Sequence, residues 1–297
     1  MTAPDSFLPS GGQAGAHATG TLRIRLDEAL DPSHLALIAV RDWALCAPHD
    51  LSVVLDVGGA PGSGPVALQE GACDLLLVRP LSLLERPTPG CEVIACLFET
   101  RGGVLVREDR LGKLRAGELL RVAASQSGKA SDRLCRRILQ GWAGRQGFAV
   151  AQTLIAVDPV PAAGLSGVAA LLVEADAVWP AHANAEDVVA RLQGPPARLI
   201  TAGDADLPSF AALGLMARER RSRAETARHA ALLDGLQEAA RRLASDPAAA
   251  ARLWSAATGD ESPTAAAVVA ATVPLLTPRP DRRPDLWRSF ESLMEDA

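Results

Sequence analysis

LRIRL (22–26), HLALIAVRDWAL (34–45), HDLSVVLDVGG (49–59) and VALQEGACDLLLV (66–78) follow one another at the start of the ordered sequence, and each has its own periodicity. Leu22 to Leu26 alternates Leu, Ile and Leu with two Arg, the pattern of a short strand. Asp31-Pro32-Ser33 comes next, with Asp31 or Ser33 as the cap of a helix from His34 to about Ala44. That helix puts Leu35, Ile38, Ala39 and Trp43 on one face. Leu51 to Val57 contains a Val-Val-Leu run that predicts a strand buried on both faces of a parallel sheet. A Gly/Pro loop, Gly58 to Gly64, leads through a short helix, Pro65 to Glu70, into the apolar strand Asp74 to Val78. Strand alternating with helix predicts an α/β fold with a mostly parallel sheet.

The alternation continues outward from this stretch. Ser82 to Glu85 reads as a helical turn, and Glu92 to Phe98 and Val104 to Arg107 as strands. Leu111 to Leu119 reads as a polar connection. Beyond it come a strand at Leu120 to Ala124, a turn at Ser125 to Gly128 and a helix at Ser131 to Ala143. Strands at Ala149 to Ala156, Ala175 to Val178 and Arg198 to Thr201 alternate with helices at Ala162 to Glu174 and Ala185 to Leu192. Arg218 to Arg228 (RERRSRAETAR) reads as a charged, solvated helix face. Arg228 to Ala244 is amphipathic through Leu232, Leu233, Leu236 and Leu243. Asp246-Pro247 starts a helix to Ala257, since Asp caps and Pro suits the first turn. Pro278 to Pro284 is an exposed linker before a last helix, Asp285 to Met294. No internal repeat is read. The expected organisation is a flexible leader (1–20), a first lobe from 21–110 plus 201–297 with a helical C-terminal tail, and a second lobe from 111–200.

The 297 residues are 48% apolar and 22% charged, a globular balance far from disorder. The net charge of −5 gives no footprint for nucleic acid. No apolar run reaches the roughly 18 residues of a membrane span. Met1 to Gly20 lacks a basic start and an apolar stretch, so no signal peptide is read. The expected location is cytoplasmic as the sequence is written, or periplasmic if the true start lies upstream. Cys46, Cys73, Cys91, Cys96 and Cys135 form no CxxC pair and read as buried small hydrophobes, not a disulfide set or zinc site. No metal and no cofactor is expected.

Several segments share a resemblance. The four stretches above resemble the first lobe of the nitrate/sulfonate/taurine and thiamine-pyrimidine binding protein family, the NMT1/THI5-like (SsuA/THI5-like) group. LFETRGGVLVRED (97–109) is similar to the segment before that family's crossover, and LRVAASQSGKASDRLCRRIL (120–139) to its second-lobe opening. VEADAVWPAHANAEDVVA (173–190) resembles the thiamine-pyrimidine branch. The resemblance covers about residues 22 to 255. It implies a two-lobed fold of the type II periplasmic-binding-protein kind, with hinges near 108–113 and 198–206. It further implies capture of a small molecule between the lobes, a thiamine-pyrimidine precursor or a small anion such as sulfonate or nitrate. An ABC permease is then the expected protein partner. Two alternatives stay open: a cytoplasmic enzyme of the same fold, desulfinase-like or pyrimidine-synthase-like, and a cytoplasmic ligand sensor acting on a protein partner. The lysine and histidine pair and the Cys-rich segment of the pyrimidine synthases have no counterpart here.

Ligands of open α/β sheets bind outside the carboxyl ends of strands, and the candidate residues are those so placed. Gly59 sits in a loop without the spacing of a dinucleotide or P-loop fingerprint, so it is either an anion-facing backbone turn or a plain tight turn. Ser125, Gln126 and Ser127 offer hydroxyls, an amide and N–H groups to a carboxylate, sulfonate or phosphate, or else cap a helix. Trp179 offers a stacking face, or fills the lobe interface. His182, Asn184 and Glu186 follow it, and Asn with Glu suits an aminopyrimidine edge. Glu28 and His34 are placed by the first strand and helix at the same crevice. Arg79 is either a bidentate anion partner or an exposed surface arginine. No Ser-His-Asp or zinc constellation is read.

Overall fold

Thr21–Leu26 (β1) pairs in parallel with Ser52–Val57 (β2) on one side and with Leu75–Val78 (β3) on the other. The computed structural model describes residues 20–57, 62–126, 128–148, 154–160 and 164–277. The remaining strands are Cys91–Glu99 (β4), Gly102–Arg107 (β5), Leu119–Ala124 (β6), Leu154–Pro159 (β7), Ala177–His182 (β8), Ala197–Thr201 (β9) and Ala212–Arg218 (β10). They form two sheets of five strands, in the orders β2-β1-β3-β10-β4 and β7-β6-β8-β5-β9. In each sheet the first three strands are parallel, and the fourth, which arrives from the other sheet, runs antiparallel to both of its neighbours.

The two sheets therefore share one topology, a structural repeat that the sequence reading missed. A shared device supports it. Asp74, just before β3, accepts from the Arg23 N–H through Oδ2 at 2.8 Å while its own N–H donates to the Arg23 carbonyl. Asp176, just before β8, does the same with Arg121, at 2.9 Å. Each carboxylate closes a ring with the neighbouring parallel strand and then takes a cation, Arg228 on Asp74 and Lys113 on Asp176.

The helices are Leu35–Asp42 (α1), Gly64–Gln69 (α2), Pro80–Glu85 (α3), Leu111–Ala116 (α4), Lys129–Arg145 (α5), Gly164–Glu174 (α6), Glu186–Gln193 (α7), Arg223–Ser245 (α8), Pro247–Thr258 (α9) and Pro263–Thr272 (α10). Asp31 caps the short 3-10 turn Pro32–His34 that enters α1, and Asp246 accepts from the Ala249 N–H to cap α9. The first core joins β1 and α1 to Leu232, Leu236 and Leu243 of α8 and to Trp254. A second runs from Leu76 and Val78 through Val104, Val122 and Ile138 to Phe210, and so passes from one sheet to the other. No described helix is long and apolar enough to cross a membrane.

Several expectations are corrected. β2 is an edge strand and not buried on both faces: Val54 and Val57 are 45% and 40% exposed because only β1 pairs with it. Leu111 to Leu119 is not a connector. Its first six residues form α4, ended by Gly117 at φ 70°, which glycine adopts freely. Val104 to Arg107 belongs to the second sheet, so the chain leaves the first at Thr100-Arg101 and not at 108–113. It returns between Thr201 and Ala212. β10, the strand between β3 and β4, and α10 had no counterpart in the sequence reading. Arg218 ends a strand, and the helix begins only at Arg223, with Ser222 and Glu225 forming a capping box. Four of the five cysteines are buried, as expected, and Cys91 is half-buried. Pro278 to Met294, and Ala149 to Thr153 of the predicted 149–156 strand, lie outside the described residues.

Candidate ligand cleft

The carboxyl ends of β1, β3, β6 and β8 point at one gap between the sheets. A cavity of about 130 Å³ there is lined by Glu28, Asp31, Ser33 and Arg79 from the first lobe. Ser125, Gln126, His182, Asn184 and Glu186 line it from the second. A larger hollow of about 340 Å³ adjoins it, sharing Glu28, Arg79, Ser125 and Gln126 and walled on its apolar side by Leu76, Val78 and Leu81.

Arg79, at the end of β3, organises the first wall. Its Nε donates to both Glu28 oxygens at 2.9 Å, and one terminal nitrogen donates to Asp31 Oδ2 at 2.5 Å and to the Ser33 hydroxyl at 3.3 Å. His34 sits wholly buried behind Glu28. Its Nδ1 accepts the Asp31 N–H at 2.9 Å, which leaves Nε2 to carry the proton and donate to Glu28 Oε1 at 3.1 Å. Burial opposes ionisation of Glu28, but Arg79 and His34 outweigh it and hold the carboxyl well below the usual carboxylate range. Asp31 is lowered in the same way, burial being overcome by His34 and Arg79. Burial works against the charge on Arg79, and Glu28 and Asp31 more than compensate, raising its pKa.

The second wall follows β8. The Glu186 Oε2 accepts from the His182 backbone N–H at 2.8 Å and lies 3.1 Å from His182 Nδ1. Burial again opposes its charge, and His182 overcomes this, so Glu186 also stays below the usual range. Asn184 is 5% exposed. Its Nδ2 donates to Thr272 of α10 at 2.9 Å, and its Oδ1 has no hydrogen-bond partner among the described residues. The Ser125 N–H donates to the Trp179 carbonyl at 2.9 Å.

The structure thus brings together Glu28, Arg79, Ser125, Gln126, His182, Asn184 and Glu186 at one cavity. His34 backs the wall without lining it. Trp179 is corrected: it is fully buried and lines neither hollow. Its indole N–H donates to the Ser131 hydroxyl at 2.9 Å and its ring meets Phe210 at 5.0 Å between centroids, so no face is left for a ligand. Gly59 and Ser127 lie outside the described residues. Asp31 and Ser33, read only as cap residues, line the cavity, and the cap signature was their one sequence signal.

Glu28, Asp31 and His34 place one potential ligand atom each within 4.8 Å of one another. The set does not suit a metal ion: Arg79 already bonds both carboxylates, and one imidazole nitrogen is committed to a backbone N–H. Three backbone N–H groups near the foreseen anion positions are engaged by carboxylates. Glu85, from the first lobe, accepts the Ser131 N–H in the first turn of α5 at 2.7 Å. Asp27 accepts the Gly64 N–H at the start of α2 at 2.8 Å, and Asp31 accepts the Ser33 N–H at 2.7 Å.

No protein-family model matches the sequence, and no curated protein matches it significantly. Solved structures do match in shape. The alkanesulfonate-binding protein SsuA from Xanthomonas axonopodis pv. citri, bound to MOPS, superposes with a TM-score of 0.62 at 18% identity, over 93% of this chain and 92% of that one. A Candida albicans gene product described as having the generic periplasmic binding protein fold gives 0.62 at 12% identity, over 93% and 89%. The desulfurization enzyme DSZB gives 0.57 at 15% identity, over 93% and 91%. With two five-stranded sheets of one topology, a double crossover and a cleft at their strand ends, the chain has the two-lobed periplasmic-binding-protein fold.

Proposed function

We propose that the protein captures a small polar metabolite reversibly in the cleft between its lobes, as a solute-binding protein of the ABC-transporter type. One observation carries this: residues far apart in sequence, from Glu28 to Glu186, converge from both sheets on one polar cavity. The chain crosses between the sheets twice, at 100–101 and 202–211, and paired crossovers are what hinge closure over a ligand needs. Delivery of the ligand to an ABC permease is the role this fold most often serves. Thiamine-pyrimidine precursors, sulfonates and nitrate are the ligand classes that the family resemblance brings to the test.

The similarity to a desulfurization enzyme raises a second reading, chemistry on the captured molecule. A thiol nucleophile needs a low pKa and an exposed position. Burial pushes Cys46 up to about 11 and Cys73 up to about 12, and no described cysteine lines the cleft. The binding reading therefore has the stronger support.

A thermal-shift screen against aminopyrimidines, sulfonates, nitrate, amino acids and nucleobases tests it. A ligand at 100 times its dissociation constant that binds only the native state adds about 2.7 kcal/mol, a readily measured shift. The expected result is a shift with one class that disappears in Gln126→Trp, which fills the cavity. A shift unaffected by that substitution would move the binding site elsewhere, and no shift in any class would count against capture.

A further inference from the structure

The charge of the lining narrows the ligand further than the fold does. Glu28, Asp31 and Glu186 are all held ionised, and Arg79 is the one guanidinium among the described residues lining the cavity. The imidazoles apart, three carboxylates of the lining face one guanidinium around a small cavity. Arg79 has no spare charge for an anion. Its fork is engaged by Glu28 and Asp31, and Glu186 also lies within its electrostatic reach.

Among the described residues, three backbone N–H groups at helix or turn starts by the cleft are likewise bonded by the protein's own acids. Glu85 sits on the first turn of α5, Asp27 on the start of α2 and Asp31 on the turn before α1. A sulfonate or nitrate entering here would meet carboxylates where it needs donors.

The lining instead presents acceptors. Glu186 commits Oε2 to the His182 backbone N–H and ring, and its carboxylate lines the cavity. His182 directs Nδ1 to Glu186, and its Nε2 makes no hydrogen bond among the described residues. Asn184 lines the same cavity, almost fully buried, with an Oδ1 that accepts no hydrogen bond among the described residues. A buried acceptor without a donor is costly, and a ligand N–H is the natural remedy.

We propose, building on the capture function above, that the ligand is a small organic nitrogen cation rich in N–H donors, of the amidinium, guanidinium or protonated amino-heterocycle class, and not a sulfonate or nitrate. Its positive charge offsets the surplus of the lining, with Glu186 as the principal counter-charge and Asn184 Oδ1 and His182 Nε2 as hydrogen-bond acceptors.

Isothermal titration calorimetry at fixed ionic strength tests this with acetamidinium, methylguanidinium and benzamidinium chlorides, sodium methanesulfonate, sodium nitrate, and the neutral acetamide and benzamide. The expected result is binding of at least one cation, with its neutral counterpart and both anions at least tenfold weaker. Glu186→Gln, which keeps an acceptor for the His182 N–H, is expected to weaken the cation at least tenfold. Gln126→Glu adds a carboxylate to the lining and is expected to tighten it. Tighter binding of methanesulfonate or nitrate, or a cation affinity indifferent to both substitutions, would overturn the charge inference and leave capture intact. Binding of the neutral amides in preference to the cations would do the same. Silence in every arm, together with a flat thermal-shift screen, would count against capture itself.

Discussion

Replacing Arg79 with Met removes the one guanidinium from a cluster of two carboxylates and an imidazole. The side chain is 15% exposed, and Glu28 and Asp31 are 34% and 35% exposed. Breaking a fully buried ion pair by deleting one partner costs about 3–5 kcal/mol, because the remaining charge is stranded. Here a third of each carboxylate still meets solvent, so screening brings the expected loss nearer to about 2 kcal/mol. The loss should depend on pH, with a definite sign. In the native protein both carboxyls titrate below their unfolded values, so their stabilisation is complete above about pH 5 and fades as the pH falls through the folded values. Without Arg79 the two acids face each other at the cleft, their pKa values rise, and the variant gains relative stability on acidification. Urea unfolding of both proteins at pH 7 and pH 4 measures this. The deficit should be about 2 kcal/mol at pH 7 and smaller by roughly 1 kcal/mol at pH 4. Other titrating groups are common to both proteins and cancel. A deficit below about 0.5 kcal/mol, typical of a surface pair, would refute the reasoning. So would a larger deficit that does not change between the two pH values.

Three other sets of substitutions probe the frame. Burial first, and then Arg221, pushes the His229 pKa down to about 4, so the folded protein binds this proton less readily than the unfolded chain. Lowering the pH from 7 to 5 should therefore cost about 2 kcal/mol through this group, and His229→Gln should flatten that slope in denaturant titrations; an unchanged slope would assign it to other groups. Asp74→Ala and Asp176→Ala should each cost about 1–3 kcal/mol by freeing a strand N–H and a cation, and the double variant should show their sum, because the two rings share no partner. A strongly non-additive double variant would show that the sheets do not stabilise independently. Gly128→Ala places a methyl group against the Glu85 carboxylate and should break its bond to the Ser131 N–H. A lowered melting temperature that Gly128→Ala shares non-additively with Glu85→Ala is expected, and full additivity would mean the two do not meet.

The fold was legible where local pattern suffices and illegible where it depends on who neighbours whom. β1, α1 and β3 announced themselves by periodicity and by the Asp31-Pro32 cap. β10 did not: ALGLMAR holds Ala and Gly, poor strand formers, in a continuous apolar run that shows neither strand nor helix period. It is a strand because β3 and β4, about 115–140 positions earlier, border it on both sides. The Val-Val-Leu run of β2 failed in the opposite sense. Its composition suits burial on both faces, yet only the strand order decides that it lies at the edge.

For the cleft, sequence found residues better than roles. The rule that ligands meet strand ends selected Glu28, Arg79, Gln126 and Glu186 without any contact being known, since a strand's carboxyl end can be read locally. Trp179 obeyed the same rule and is core, because Phe210 and Ser131, distant in sequence, close over it. The sign of the site was hidden for the same reason. Arg79, and a Ser-Gln-Ser-Gly loop opening a helix, look from sequence like an anion site. Glu28 and Asp31 claim the arginine from about 50 residues away, and Glu85 claims an amide of that helix from the other lobe. A donor's presence is written in its own residue, whereas its availability is written in the residue that reaches it. For that reason the identity of the ligand turns on the carboxylates that fill the anion positions, more than on the residues that first suggested them.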